Sequence, residues 1–144
     1  MSGFSKQEQQ SIKEAIENAE RFTSGEIRIC VEDTCNEPAL DRAANYFKKL
    51  GMHKTSLRNG VLIYIAVKSH QFAILGDAGI NKAVPENFWE STKDLMRSHF
   101  KKGKLSEGIV AGIDLAGQQL QKYFPYTDGD INELPNDITF MDGK

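Results

Sequence analysis

The sequence predicts a three-layer α/β/α sandwich built on a mixed sheet, and three observations carry that prediction. Residues 61–67 read Val-Leu-Ile-Tyr-Ile-Ala-Val. An unbroken apolar run this short, rich in β-branched types, is the pattern of a strand buried on both faces. A short polar break (Lys68, Ser69, His70, Gln71) then separates it from Phe72, Ala73, Ile74 and Leu75. A break of that length makes the two runs an antiparallel hairpin. Upstream, an alternating stretch at 26–32 and an amphipathic stretch at 38–50 complete a βαβ order. That order makes the first two strands parallel, with a right-handed crossover.

The elements follow in chain order. Residues 5–22 predict a helix. Ser5 and Glu8 have capping-box spacing, and Ile12, Ala15, Ile16, Ala19 and Phe22 share one face. Ile27, Ile29 and Val31 alternate with Glu26, Arg28, Cys30 and Glu32, which predicts a strand with one more polar face, nearer an edge of the sheet. Pro38 opens the second helix and Gly51 caps its end. After the hairpin, residues 85–102 predict a third helix and residues 106–123 a fourth. Gly108 and Gly112, one turn apart in the fourth, predict close backbone packing on the sheet, since each glycine costs a helix about 1 kcal/mol against alanine. No period survives in 126–144, where Asp128, Asp130, Glu133, Asp137 and Asp142 dominate, so this stretch reads as an acidic, flexible tail after a single domain at 1–125.

Bulk composition narrows the functional classes. The chain has 144 residues, 40% hydrophobic and 26% charged, which suits one soluble domain with its own core. The net charge is −2 and no face-sized basic cluster stands out, which argues against nucleic acid as a partner. The sequence starts Met-Ser-Gly-Phe-Ser-Lys and runs straight into a polar helix. No signal-peptide core and no spanning segment is legible, so the expectation is a cytoplasmic protein without membrane insertion. Cys30 and Cys35 read as reduced thiols.

The polar residues converge at one edge. Glu26 opens the first strand, Arg58 and Asn59 precede the second, and Asp77 follows the third. Parallel and antiparallel pairing together put all four at the edge where the first strand starts. Each stands close to a glycine, which permits tight turns. Glu26, Asn59 and Asp77 offer oxygen ligands suited to a hard cation, calcium or magnesium. Arg58 is suited to an anionic group. The same residues also read as ordinary turns with a surface ion pair between Arg58 and Glu26 or Asp77. The opposite edge, with Glu32, Asp33, His70 and Asp41, ranks second, although ligands in open parallel sheets usually bind at strand ends.

Other motifs are absent or broken. Gly76-Asp77-Ala78-Gly79 is half of a dinucleotide fingerprint, and neither a nucleophile elbow nor a His-Glu-x-x-His pair occurs. Asp128, Asp130 and Asn132 start like a calcium loop, but Glu133 stands where the glycine is needed and Thr139 where the bidentate Glu is needed.

An ordered set of segments resembles the TPM domain family. They are residues 24–29, 50–55, 58–66, 72–80, 100–109 and 123–125. The resemblance covers about residues 5–125. It implies a single Rossmann-like α/β sandwich, divalent-metal binding at Glu26, Asn59 and Asp77 with Arg58 beside them, and a phosphatase activity attributed to some members. No activated Ser, Cys or His is legible as a phosphatase nucleophile. The leading expectation is a calcium- or magnesium-binding module in the assembly or maintenance of a protein complex. A metal-dependent phosphatase of phosphate monoesters and a metal-independent protein-interaction domain are the alternatives.

Overall fold

The computed structural model describes residues 4–126 and 138–141. In chain order these form α1 (Lys6–Ala19), β1 (Glu26–Glu32), α2 (Ala39–Lys49), a short 3-10 turn at Met52–Lys54, β2 (Gly60–Ala66) and β3 (Gln71–Gly76). Then come α3 (Ala78–Ala83), α4 (Glu90–Lys101), α5 (Leu105–Gln121) and β4 (Thr139–Phe140). The sheet order is β3-β2-β1-β4. β1 and β2 run parallel, with Glu26 opposite Gly60 and Glu32 opposite Ala66. β2 and β3 are antiparallel. The architecture is the α/β sandwich that the apolar pattern predicts.

The strands' two side-chain parities separate the core into two halves. Ile27, Ile29, Val31, Val61, Ile63, Ile65 and Ile74 pack with α1, α4 and α5. Cys30, Leu62, Tyr64, Ala66 and Ala73 pack against Ala43 and Phe47 of α2 on the other face. Removing one large aliphatic side chain of this kind from water contributes about 1.5–3 kcal/mol. The predicted capping box of α1 forms: Ser5 Oγ accepts from Glu8 N–H, and Glu8 Oε1 accepts from Ser5 N–H.

Four expectations are corrected. β1 is an interior strand, because β4 adds to it in parallel at Cys30 and Val31. β4 lies within the stretch that shows no period in sequence. Two residues are too few to display one, and tertiary packing of Ile138 and Phe140 on the core holds them there. The acidic positions Asp128, Asp130, Glu133, Asp137 and Asp142 lie outside the described residues. The third helix begins at Glu90 and not at residue 85. Pro85 and Asn87 lead a turn in which Pro85 C=O accepts from Phe88 N–H and Asn87 C=O from Glu90 N–H. Gly108 and Gly112 do pack closely, but on α4. A β-carbon on Gly112 would come within 2.5 Å of Met96 Sδ, and one on Gly108 within 2.6 Å of the Phe100 ring. The short turn at Gly103 folds α5 back along α4, so the glycines face a helix.

Candidate functional site

The strand-start edge gathers the four predicted residues through backbone pairing. Glu26 N–H donates to Asn59 C=O at 3.1 Å, and Asp77 N–H donates to Gly60 C=O at 2.9 Å. Arg58, at φ +52°, is in the left-handed region that side-chain-bearing residues seldom occupy. Its carbonyl accepts from Gly79 N–H at 2.9 Å, which helps to fix that conformation. Gly79 has no room for a side chain: a β-carbon there would lie 2.5 Å from Leu57 O and 2.6 Å from Arg58 O.

Asp77 caps α3, accepting from Ala78 N–H at 2.7 Å. Its two oxygens also take a bidentate pair of donors from Arg58, Nε to Oδ2 at 2.8 Å and Nη2 to Oδ1 at 2.7 Å. The ion pair anticipated for Arg58 therefore has Asp77 as its partner. The Arg58 side chain stays 48% exposed, whereas Asp77 is buried. Asn59 is 2% exposed; its amide donates to Ser24 C=O at 2.7 Å. Its Oδ1 has no hydrogen-bond partner. Among the described residues four buried side-chain polar atoms lack one, and three of them, on His53, Thr55 and Asn59, fall in the loop entering β2.

Glu20 belongs to this edge and is not legible in sequence as part of it. It ends α1, and its Oε2 accepts from Ile27 N–H at 3.2 Å, closing a gap left where β4 does not reach. Burial pushes its carboxyl up to about 7, outweighing the Ile27 hydrogen bond, and the charges of Glu26 and Glu17 add to the rise. Two carboxylates thus repel each other at the strand starts. A carboxyl raised this way is protonated in the fold while already ionised in the unfolded chain, so stability falls as pH rises from 4.5 towards 7. Glu20→Gln should therefore unfold at higher urea than the parent at pH 8, by about 2 kcal/mol after allowance for solvent at its partly exposed carboxylate. At pH 4 the two should coincide. A gap at pH 4 as large as that at pH 8 would show that the effect is not titration.

The opposite edge is internally satisfied. Glu32, 5% exposed, accepts from Arg42 Nε at 2.9 Å and Nη2 at 3.2 Å, from Tyr46 Oη at 2.8 Å, and from Tyr64 Oη. Four donors on two oxygens use up a carboxylate's lone pairs. Burial drives the Glu32 carboxyl up, but hydrogen bonds from Arg42, Tyr64 and Tyr46 together outweigh it and hold the carboxyl below its ordinary value. Arg42 also reaches Glu37 at 3.1 Å. Asp33 is paired with Lys68 at 3.6 Å. These partners make the strand-end edge a staple between β1, β2 and α2. Burial raises the Cys30 thiol to about 12, with the neighbouring Glu32 charge adding to it, which leaves it un-ionised at neutral pH.

Among the described residues no three His, Cys, Asp or Glu side chains cluster as metal ligands. The strand-start donors are two carboxylates, Glu26 and Asp77, and one carboxamide oxygen. That set has the oxygen-only chemistry of a hard cation that keeps several waters, as magnesium commonly does on one or two carboxylates. No helix among the described residues is long and apolar enough to cross a membrane.

Fold and site together define a small α/β sandwich domain with a polar edge at its strand starts. The chain belongs to the TPM domain family, which matches residues 2–119. It is similar to the BA42 protein of the psychrophilic bacterium Bizionia argentinensis, solved by NMR: identity is 45% over 96% of each chain, with a TM-score of 0.91. The N-terminal domain of a protein from P. gingivalis shares the fold at 17% identity, covering 86% of this chain and 82% of that one, with a TM-score of 0.69. The N-terminal domain of the cg2496 protein of Corynebacterium glutamicum does so at 10% identity over 92% and 78%, with a TM-score of 0.64. No curated protein matches the chain.

Proposed function

We propose that this TPM-domain chain is a divalent-cation-binding module, taking magnesium or calcium at the strand-start edge, and that it serves the assembly or maintenance of a protein complex. One observation carries the cation reading. Asn59 Oδ1 is buried without a hydrogen-bond partner, at an edge that also holds Glu26 and Asp77. An unsatisfied buried acceptor costs about 1–3 kcal/mol, and an oxygen-seeking cation relieves that cost. The bond from Asn59 Nδ2 to Ser24 fixes the carboxamide's orientation. Repulsion between Glu20 and Glu26 supports the same reading, because a cation offsets it. Arg58 shares Asp77 with any such ion and leaves half its side chain in solvent for an anionic group.

The test is thermal unfolding with magnesium or calcium, reversed by a chelator. At about ten times the dissociation constant the cation should stabilise the parent by about 1.4 kcal/mol. Asp77→Asn should lose that gain, while Asp94→Asn, on the exposed side of α4, should keep it. NMR amide shifts should fall in residues 24–27, 57–60 and 76–80. Equal stabilisation of parent and Asp77→Asn, or no response to either cation, would remove this site.

A further inference from the structure

Five large apolar side chains remain exposed among the described residues, and four of them gather at one end of the domain. Phe22 is 49% exposed, Leu57 57%, Tyr123 38% and Tyr126 48%; Leu40, at the start of α2, lies at the other end. The backbone ties the four together. Tyr126 N–H donates to Phe22 C=O at 3.3 Å, and Ser24 N–H donates to Phe124 C=O at 2.8 Å. Thr23 bridges Pro125. Asn59, two residues after Leu57, bonds Ser24.

Each of three segments also sets an exposed basic residue next to its apolar one: Arg21 before Phe22, Arg58 after Leu57, Lys122 before Tyr123. The carboxylates of Glu26 and Asp77 are buried beneath, with Asp77 paired to Arg58, and Glu20 beside them is half-buried, which leaves Arg21 and Lys122 as the main positive charges of the rim. The end therefore presents apolar and aromatic surface with a basic rim. Beside Tyr123 it opens into a groove of about 520 Å³ between the start of α4 and the end of α5, lined by Phe88, Glu90, Ser91, Gln118 and Gln119. Glu90 is paired with Lys93 at 3.0 Å.

Exposed apolar patches of this kind mark contact surfaces, and Tyr, Phe and Arg are the side chains that carry protein interfaces. The groove is concave and amide-lined. It accepts individual side chains and main-chain groups, which a flat bilayer does not offer. We propose that the strand-start end docks an acidic segment of a partner protein. The segment's apolar or aromatic side chains sit on Phe22, Leu57, Tyr126 and in the groove beside Tyr123, and its carboxylates face Arg21, Arg58 and Lys122. This docking needs no ligand at Asn59, so it stands or falls apart from the cation reading.

A displayed library of short random peptides, selected on the immobilised full chain with magnesium and again with chelator, tests it. Peptides rich in Asp or Glu together with Phe, Leu or Trp should be enriched in both selections. An enriched peptide should shift the amides of residues 21–22, 57–58 and 118–126. The double variant Arg21→Glu with Lys122→Glu should weaken it about tenfold or more without changing the thermal melt, and so should Leu57→Ser with Tyr126→Ser. Absence of enrichment, enrichment of basic peptides, shifts elsewhere, or unchanged affinity in both double variants would overturn the proposal. So would sedimentation with phosphatidylglycerol vesicles, lost in Leu57→Ser with Tyr126→Ser, in the absence of any enriched peptide. Enrichment in magnesium alone would also overturn it in this form, since docking would then depend on the cation.

Discussion

Glu32→Ala is expected to destabilise the domain by about 3 kcal/mol in urea unfolding. The substitution strips the carboxylate acceptor from the Tyr64 hydroxyl, on a side chain with no exposure, and leaves it only the weak sulfur acceptor of the neighbouring Cys35. It also takes a partner from Tyr46 and two bonds from Arg42. Tyr64 is fully buried, so its donor exchanges a charged acceptor for a weak thiol and carries most of the desolvation cost. Arg42 is 35% exposed and keeps Glu37, which limits its share. The same carboxylate sets a pH dependence. Its folded value lies below the ordinary 4.5, so its contribution is complete above 4.5 and is lost as pH falls through the lower folded value. The parent should lose stability in that acid window, and Glu32→Ala should lose less there. A cost near zero at neutral pH would mean that the network is dispensable and that the strand-end edge must be reconsidered as a site.

The second large effect is expected at Gly79. Gly79→Ala places a methyl group 2.5 Å from one backbone oxygen and 2.6 Å from another. Neither is the end of a flexible side chain, so either α3 or the loop at residues 57–58 must move. Overpacking of this type costs about 1–3 kcal/mol, and the loss of the Gly79 N–H bond to Arg58 puts the variant at the upper end. The movement should also release the Arg58–Asp77 pair, so amide shifts should spread from residue 79 to residues 57–59 and 77. By contrast, Gly103→Ala meets nothing within 4 Å and is strained only through its φ of +73°. It should therefore cost less, about 1 kcal/mol. Comparable melts for the two variants would show that the loop gives way easily, and that the edge is less rigid than the contacts at Gly79 require.

Much of the fold is legible in the residues because the relevant signals are local. The Ser5–Glu8 box, Pro38 ahead of α2 and the unbroken apolar run of β2 each encode their element within a few positions. The convergence of Glu26, Arg58, Asn59 and Asp77 follows from topology alone, since one crossover and one hairpin fix which strand ends share an edge. Helix α3 escapes the reading because it is short and its Asp77 cap looks like turn chemistry. Strand β4 escapes it because two residues carry no period.

The sequence by itself determined which residues alternate, where the chain turns and which strand ends meet, since backbone propensity and side-chain periodicity are written into neighbouring positions. Only the tertiary structure decided the partners. It gave Asp77 to Arg58 and left the carboxamide oxygen of Asn59 without one. It raised Glu20 by burial beside Glu26, turned two glycines of α5 onto α4, and saturated Glu32 with donors from two other elements. Those outcomes depend on distances between residues far apart in the chain, and the energies of burial, pairing and desolvation are set only once the layers have closed.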